Sequence, residues 1–445
     1  MVVITPSNPF RVLVTHRNFR SFWIGQTLSL VGSWMQSMAI GWLALELSNS
    51  AFIVGVVVAS GSLPILAFSL HAGVLVDRSD KLKLVTYSQF LLLTEAVVLW
   101  GLTWSGHINV GALIALSLFG GAVASVEIPA RQALMIDLVG RDDLRDAIAL
   151  NSSGFNLARI VGPAVGAFII ANAGMAWCFG VNALSYLTVL IGLKQVRLPP
   201  WQEPRMPGKP LQQIRQGLVF ALRDRPMRAI LELVTVYSVL GIPYIALMPV
   251  LARDRLGLGA GGYGVMLSVL GVGGLAGALA LASAGLHIRR GYLVIRTATA
   301  YATLLLILSF VRQPAIAYPI LLGTGFLMIV NNAMANGMLQ TMVPDEYRGR
   351  LMSIYSMIVV GLPQVLGAFS AGAVAGLIGV QWAIGCGAVG MLVVGVFGGS
   401  AAWWLLLTTT ADRLRGHIAP RVLRWVNRLA GGALVVFGLV GLMAL

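Results

Sequence analysis

The sequence predicts an all-α polytopic membrane protein with two consecutive sets of six transmembrane helices. Three observations carry that prediction. Hydrophobic residues make up 58% of the chain and charged residues only 11%, with a mean hydropathy of +0.85, which leaves too little polar surface to cover a soluble globule. Apolar runs close to the ~20 residues that a helical span requires recur along most of its length. The charged residues fall in the short segments between those runs, and the basic ones concentrate in alternate segments.

In order, the first six runs lie at about 20–46, 51–76, 84–105, 109–134, 147–172 and 175–194. A Pro-rich stretch follows, with Pro199, Pro200, Pro204, Pro207 and Pro210 ahead of an amphipathic segment from Leu211 to Arg223. That composition marks a linker carrying a surface helix rather than a folded domain. Six further runs lie at about 227–251, 261–285, 291–311, 315–341, 350–378 and 381–409. The chain therefore divides into a first half at 1–194, a cytoplasmic linker at 195–226, a second half at 227–409 and a basic tail with a short apolar segment at 410–445. Leu429 to Leu445 sits at the lower end of span length, so a thirteenth span and an interfacial anchor both stand as readings.

Orientation follows from the basic residues. With the N-terminus inside, the loops and helix ends that become cytoplasmic hold 27 of the 31 Lys and Arg, the exceptions being Arg253, Arg255 and Arg312 in outer loops and Arg159 deep within a span. This obeys the positive-inside rule and predicts a multi-pass protein with a cytoplasmic N-terminus; the resemblance described below implies that the membrane is the bacterial cytoplasmic (inner) one. The net charge of +15 does not indicate nucleic-acid binding, because that requires bases gathered on one water-facing patch with stacking aromatics. Cys178 and Cys386 each lie inside an apolar run, so neither a disulfide framework nor a metal site is expected. The first long apolar run is span-length, and no cleaved signal peptide is expected. The five histidines are scattered, and no nucleophile triad or phosphate-cradling loop is found. Enzymatic activity is not expected, and no cofactor is; with no ATP-hydrolysing domain, any energy must come from a gradient or a partner. The bilayer is an expected partner, nucleic acid is not, and a monomeric chain is expected; the resemblance described below adds a small-molecule substrate and protons, with a proton gradient as the energy source.

Gly73-Val-Leu-Val-Asp77-Arg78-Ser-Asp80-Lys81-Leu-Lys83 joins the second and third runs. It resembles the loop between helices two and three of the major facilitator superfamily, departing at Asp80, where that family has glycine, and at Leu82, where it has a base. The departure at Asp80 predicts a less sharply turned loop. The resemblance implies a six-plus-six bundle with a substrate path between the halves, working by alternating access. The halves also echo one another at one constant offset, pairing Arg145 with Arg350, Trp177 with Trp382 and Gly180 with Gly385, as a parallel repeat does. In the family this loop helps hold the inner gate closed, so Gly73, Asp77, Arg78 and Lys81 are candidate gating residues; plain topology and turn formation is the alternative reading.

Arg159-Ile-Val-Gly162-Pro163-Ala-Val-Gly166 in the fifth run resembles the Gly-Pro motif of proton-coupled exporters. Pro163 removes a backbone donor, and Gly162 and Gly166 permit close helix approach, so a packing kink is the competing explanation. Asn18-Phe19-Arg20, Gly32-Ser-Trp34-Met-Gln36, Pro129-Ala-Arg131 and Asn151-Ser further resemble the drug:proton antiporter-3 branch, which includes macrolide efflux pumps and enterobactin-type exporters. The implied function is proton-coupled antiport of small amphipathic molecules, drug-like or siderophore-like. An importer or symporter would differ in the direction of flux, and a polytopic sensor or enzyme would show no flux at all.

Ionisable groups at membrane depth are costly and are functional candidates by default. They are Glu46, Glu95, Glu127, Arg159 and Glu232. In the resembled fold spans one, four, seven and ten line the path, so Glu127 and Glu232 outrank Glu95, and Glu46 lies at an outer helix end. Ser117, Gly120, Ala124, Glu127 and Arg131 recur at three- and four-residue steps and share one face. Burial opposes ionisation of Glu127 while Arg131 one turn away favours it, so a proton carrier and a structural ion pair both stand. Arg159 reads either as a positive anchor for a substrate or carboxylate, or as a donor to backbone carbonyls. Gln26, Ser29, Ser33 and Ser37 form one polar stripe in span one, and Thr324, Asn332, Asn336 and Gln340 another in span ten. Both are candidate path linings, with interhelical hydrogen bonding as the alternative.

Overall fold

The computed structural model describes residues 10–199, 224–283, 290–344, 351–352 and 354–394. The linker helix proposed at Leu211 to Arg223, the basic tail and most of the loop after span ten lie outside the described residues. Eleven helices among those described are long and apolar enough to cross a membrane. Spans one to six are Arg17–Ser48, Ala51–Asp77, Lys81–Trp104, Val110–Val139, Leu144–Ala173 and Met175–Gln195. Spans seven to eleven are Met227–Ile245, Ala260–Ser283, Leu293–Phe310, Pro314–Met342 and Ile354–Ile378, and the shorter apolar helix Val380–Val394 stands in the twelfth place. The first eleven predicted runs thus coincide with helices, the twelfth does so as far as residue 394, beyond which it lies outside the described residues, and the chain is a multi-pass membrane protein.

Local chemistry explains where the helices begin and bend. Asp80 is extended and its carboxylate accepts hydrogen bonds from the backbone N–H groups of Leu82 and Lys83 at 3.0 and 3.2 Å, so it caps span three. Only residues 78–80 separate span two from span three. The expectation of a looser loop is therefore corrected: an Asp replaces flexibility with a helix cap, and the turn stays tight. Span seven loses α-helical regularity at a π-turn, Tyr237–Gly241, and a 3₁₀ turn, Ile242–Ile245, around Pro243, whose ring cannot donate to the helix ladder. The Tyr301 hydroxyl donates to the Gly241 carbonyl at 3.1 Å and so satisfies a backbone group the distortion releases. Span eleven carries π-turns at Met357–Gly361 and Pro363–Gly367, again about a proline.

Within the first half, span one packs on spans five and six, and span two on span four; within the second, spans eight, nine and ten pack together. Two helix pairs carry most of the contact between the halves, span two with span eleven and span five with span eight. Both crossings rest on small residues, as in membrane helix packing generally. A Cβ on Gly372 would lie 3.0 Å from the Cα of Gly55. One on Gly264 would lie 2.6 Å from the Pro163 carbonyl oxygen.

The apolar cores differ between the two ends of the bundle. One large cluster draws on both halves, including Met38, Trp42 and Val54 from the first and Leu247, Tyr263 and Met266 from the second. At the end that carries the Asp77 to Lys83 turn, one cluster runs from Val12 to Val196 and another from Met227 to Ile358, and neither takes buried residues from the opposite half. The halves share a core at one end and keep separate cores at the basic rim.

Candidate transport site

Between the halves lies a cavity of about 200 Å³. Trp34, Ser37 and Gly41 of span one, with Arg159 and Pro163 of span five, form its wall on one side. Ile245 of span seven, Tyr263 and Leu270 of span eight, Met328 of span ten and Gln364 of span eleven face them. The wall is mostly apolar with a few polar groups, the composition of a small-molecule site. At its closed end Tyr263 stacks on Trp42, with ring centroids 6.0 Å apart.

Span five brings Arg159 to this wall through the Gly-Pro motif. Gly162 packs on span one, where a Cβ would stand 2.6 Å from the Trp34 Cβ and 2.7 Å from the Val31 carbonyl oxygen. Gly166 lies in the same way over Met35 and Met38. The opposite side of the helix meets span eight, whose Ser268 hydroxyl donates to the Ile160 carbonyl at 2.9 Å. Arg159 is thereby held between spans five and eight. Its Nε and Nη2 are enclosed and have no hydrogen-bond acceptor among the described residues.

A second group of polar side chains lies inside the first half. Glu127 and Arg131 pair at 2.8 Å, and the Gln89 amide donates to the same Glu127 oxygen at 3.1 Å. Both members of the pair are buried, at 6% and 8% exposure. Glu95, at 4% exposure, has no cation within ion-pair distance among the described residues. Its carboxylate accepts one long hydrogen bond, 3.4 Å, from Gln36, whose own oxygen accepts from Asn182 at 2.8 Å. Gly120 on span four makes room for it: a Cβ there would lie 2.8 Å from Glu95 Oε1. Span three thus points its acid into the bundle and against the small polar face of span four.

The other predicted residues disperse. Glu232 lies in an exposed pair with Arg228, 2.7 Å apart, and does not join the buried set. Glu46 is exposed at the end of span one and accepts from the Trp42 indole at 2.5 Å. In the span-one stripe only Ser37 reaches the cavity wall. Gln26 and Ser29 are buried, and Ser33 bonds to the Ser29 carbonyl and to the Tyr186 hydroxyl of span six. In span ten, Thr324 is buried beside Tyr244, and Asn336 accepts from the Gln340 amide at 2.5 Å. Asn332 engages through its carbonyl, which accepts from Tyr355 at 2.8 Å. At the basic rim Lys81 pairs with Asp137 of span four at 3.0 Å, and His16 with Asp143 at 2.7 Å. Asp77 ends span two, Arg78 is exposed, and a Cβ on Gly73 would meet nothing within 4 Å.

Sequence reasoning missed the Gln36–Asn182 link, Tyr263 and Gln364. Gln36 and Asn182 left a faint signal in the small residues facing them, since Asn182 and Ser185 fill the space over Gly32. Such a match between two helices is invisible in either helix alone.

This two-halved bundle with a cavity at its centre has the architecture of a major facilitator transporter. The chain belongs to the transmembrane secretion effector family of that superfamily, whose model matches residues 4–412. It is similar to the enterobactin exporter EntS of Escherichia coli O1:K1 / APEC, with 25% identity over 352 residues covering 78% of this chain and 82% of that one. The enterobactin exporter of Shigella boydii serotype 4 (strain Sb227) matches to the same extent. Among solved structures, a bacterial homologue of the human lysosomal transporter Spinster, inward-facing and unoccupied, aligns with a TM-score of 0.65 at 12% identity, over 94% of this chain and 100% of that one. The nucleoside transporter NupG aligns with a TM-score of 0.64 at 11% identity, over 88% and 98%. These two likenesses concern the fold.

Proposed function

We propose that this membrane transporter is a secondary active exporter that carries small amphipathic molecules out of the cell by alternating access, in exchange for protons moving inward. The observation that carries this reading is the placement of the cavity. Both halves contribute its wall, they share an apolar core at one end, and they have separate cores at the basic rim. With the basic rim and the N-terminus on the cytoplasmic side, this is the state that receives solute from within. Rocking the halves about the span two–eleven and five–eight crossings would close the rim and expose the cavity on the outer side. The Asp77, Arg78 and Lys81 turn then acts at the rim as a latch, and Gly73, facing open space in this state, supplies a surface against which the other half closes. Solute moves without being converted.

Proton movement is assigned to the buried carboxylates of spans three and four. Glu127 can exchange a proton only as its bond to Arg131 opens, whereas Glu95 has no cation to release among the described residues. Export from an EntS-like relative supports the outward direction. The test is accumulation of a panel of fluorescent lipophilic cations, organic anions and macrolide-like compounds in efflux-deficient cells expressing the protein. Lower accumulation of at least one compound, abolished by a protonophore, is expected. Accumulation raised by expression of the protein would reverse the direction and make it an importer.

A further inference from the structure

We propose that the central cavity binds an organic anion, one acidic group on a compact apolar body, and that Arg159 is the residue that recognises its charge; this rests on the transport reading above. Among the described residues Arg159 is the only charged side chain in the wall. Its Nε and Nη2 are shut away from water with no acceptor among those residues, and no carboxylate among them lies within ion-pair distance. A cation held this way at membrane depth is costly, and the fold makes specific room for it. Gly274 of span eight faces the guanidinium so closely that a Cβ would stand 2.5 Å from Nη2, and a Cβ on Gly271 would stand 3.4 Å from the Arg159 carbonyl oxygen.

A residue needed only for packing between spans five and eight would be met by an acceptor or replaced by an apolar side chain, because the remainder of that contact is small and uncharged, its Ser268 hydroxyl already satisfied by the Ile160 carbonyl. An anionic guest supplies what the empty site lacks, a charge-assisted hydrogen bond to the guanidinium. The rest of the wall suits an uncharged body: Trp34, Met38, Leu267 and Met328 present apolar surface, and Ser37 and Gln364 offer neutral hydrogen-bonding groups. The position of Arg159 on the span five–eight crossing also places the recognised charge where the two halves move against each other.

The test uses the full chain in lipid nanodiscs and isothermal titration with 1-naphthoate, its neutral isostere 1-naphthamide, and 1-naphthylmethylammonium, with empty nanodiscs subtracted. Saturable binding of the naphthoate is expected, with the amide and the cation weaker by about tenfold or more, the scale of one charge-assisted hydrogen bond. Arg159→Gln should abolish the preference for the anion, and Arg159→Lys should retain it at reduced affinity. Because the comparison of the three probes needs only the wild type, a poorly folded variant does not block the test. No saturable naphthoate binding, equal binding of the amide or the cation, or an undiminished preference in well-folded Arg159→Gln would each overturn the proposal. The titration uses no gradient. Intact anion binding without energised flux would refute the exporter reading alone, whereas energised flux of neutral or cationic compounds only, with no anion binding, would refute the anion site alone.

Discussion

The Glu127–Arg131 pair and the lone Glu95 predict unequal responses to the same conservative change. Glu127→Gln leaves Arg131, 8% exposed, without the carboxylate it bonds at 2.8 Å. Breaking a buried pair by removing one partner costs about 3–5 kcal/mol, because the remaining charge stays uncompensated. With a midpoint shift of roughly 2 °C per kcal/mol for a large chain, the purified variant should melt about 6–10 °C lower. Removing both charges in Glu127→Gln/Arg131→Gln should recover much of that loss, since no orphan charge is left. Glu95→Gln replaces an acid that has no cationic partner among the described residues and keeps a group able to bond Gln36, so its midpoint should stay within about 2 °C of wild type, the small-effect end of point substitutions. Thermal unfolding of the four proteins in one detergent reads these differences directly. A Glu127→Gln variant as stable as wild type, or a Glu95→Gln variant that falls as far as Glu127→Gln should, would refute the electrostatic assignment.

Three other predictions follow from the helix contacts and the rim. Gly162→Val should drive a side chain into the Val31 backbone and the Trp34 Cβ, both within 2.7 Å of the added Cβ; a loss of about 1–3 kcal/mol should appear as a lower melting point together with weak transport. Gly73→Leu meets open space in this conformation, so it should fold and melt like wild type yet lose export, and normal export would remove Gly73 from the closing surface. Asp77→Asn keeps the basic residues that set topology and should reach the membrane at wild-type levels while transport falls severely; wild-type flux in that variant would remove the latch.

The fold was legible because the bilayer imposes it. Run lengths near that of a membrane crossing, and bases concentrated in alternate loops, located the first eleven spans to within about five residues and the start of the twelfth. Pro163 with Gly162 and Gly166 likewise pointed to a close contact in span five before its partner in span one was known. The interior was less legible, since hydropathy reports depth and not which way a side chain faces. Glu95 was ranked below Glu232 by the position of its helix in the bundle, yet Glu95 points inward over Gly120 while Glu232 lies in an exposed pair. The span-one stripe shows the same difficulty: four residues at helical spacing share a face, but the face turns toward span six at Ser33 and reaches the cavity at Ser37. Asp80 misled for another reason, because a loop motif records what usually permits a turn and not that a helix cap can replace it.

The most direct test of the account is flux by the purified protein in proteoliposomes carrying an imposed pH gradient, using a compound that the cell assay has identified. The account predicts uphill movement of that compound opposite to the proton flow, collapsed by a protonophore and lost in Asp77→Asn. Flux that ignores the pH gradient, or that runs in the same direction as the protons, would contradict it.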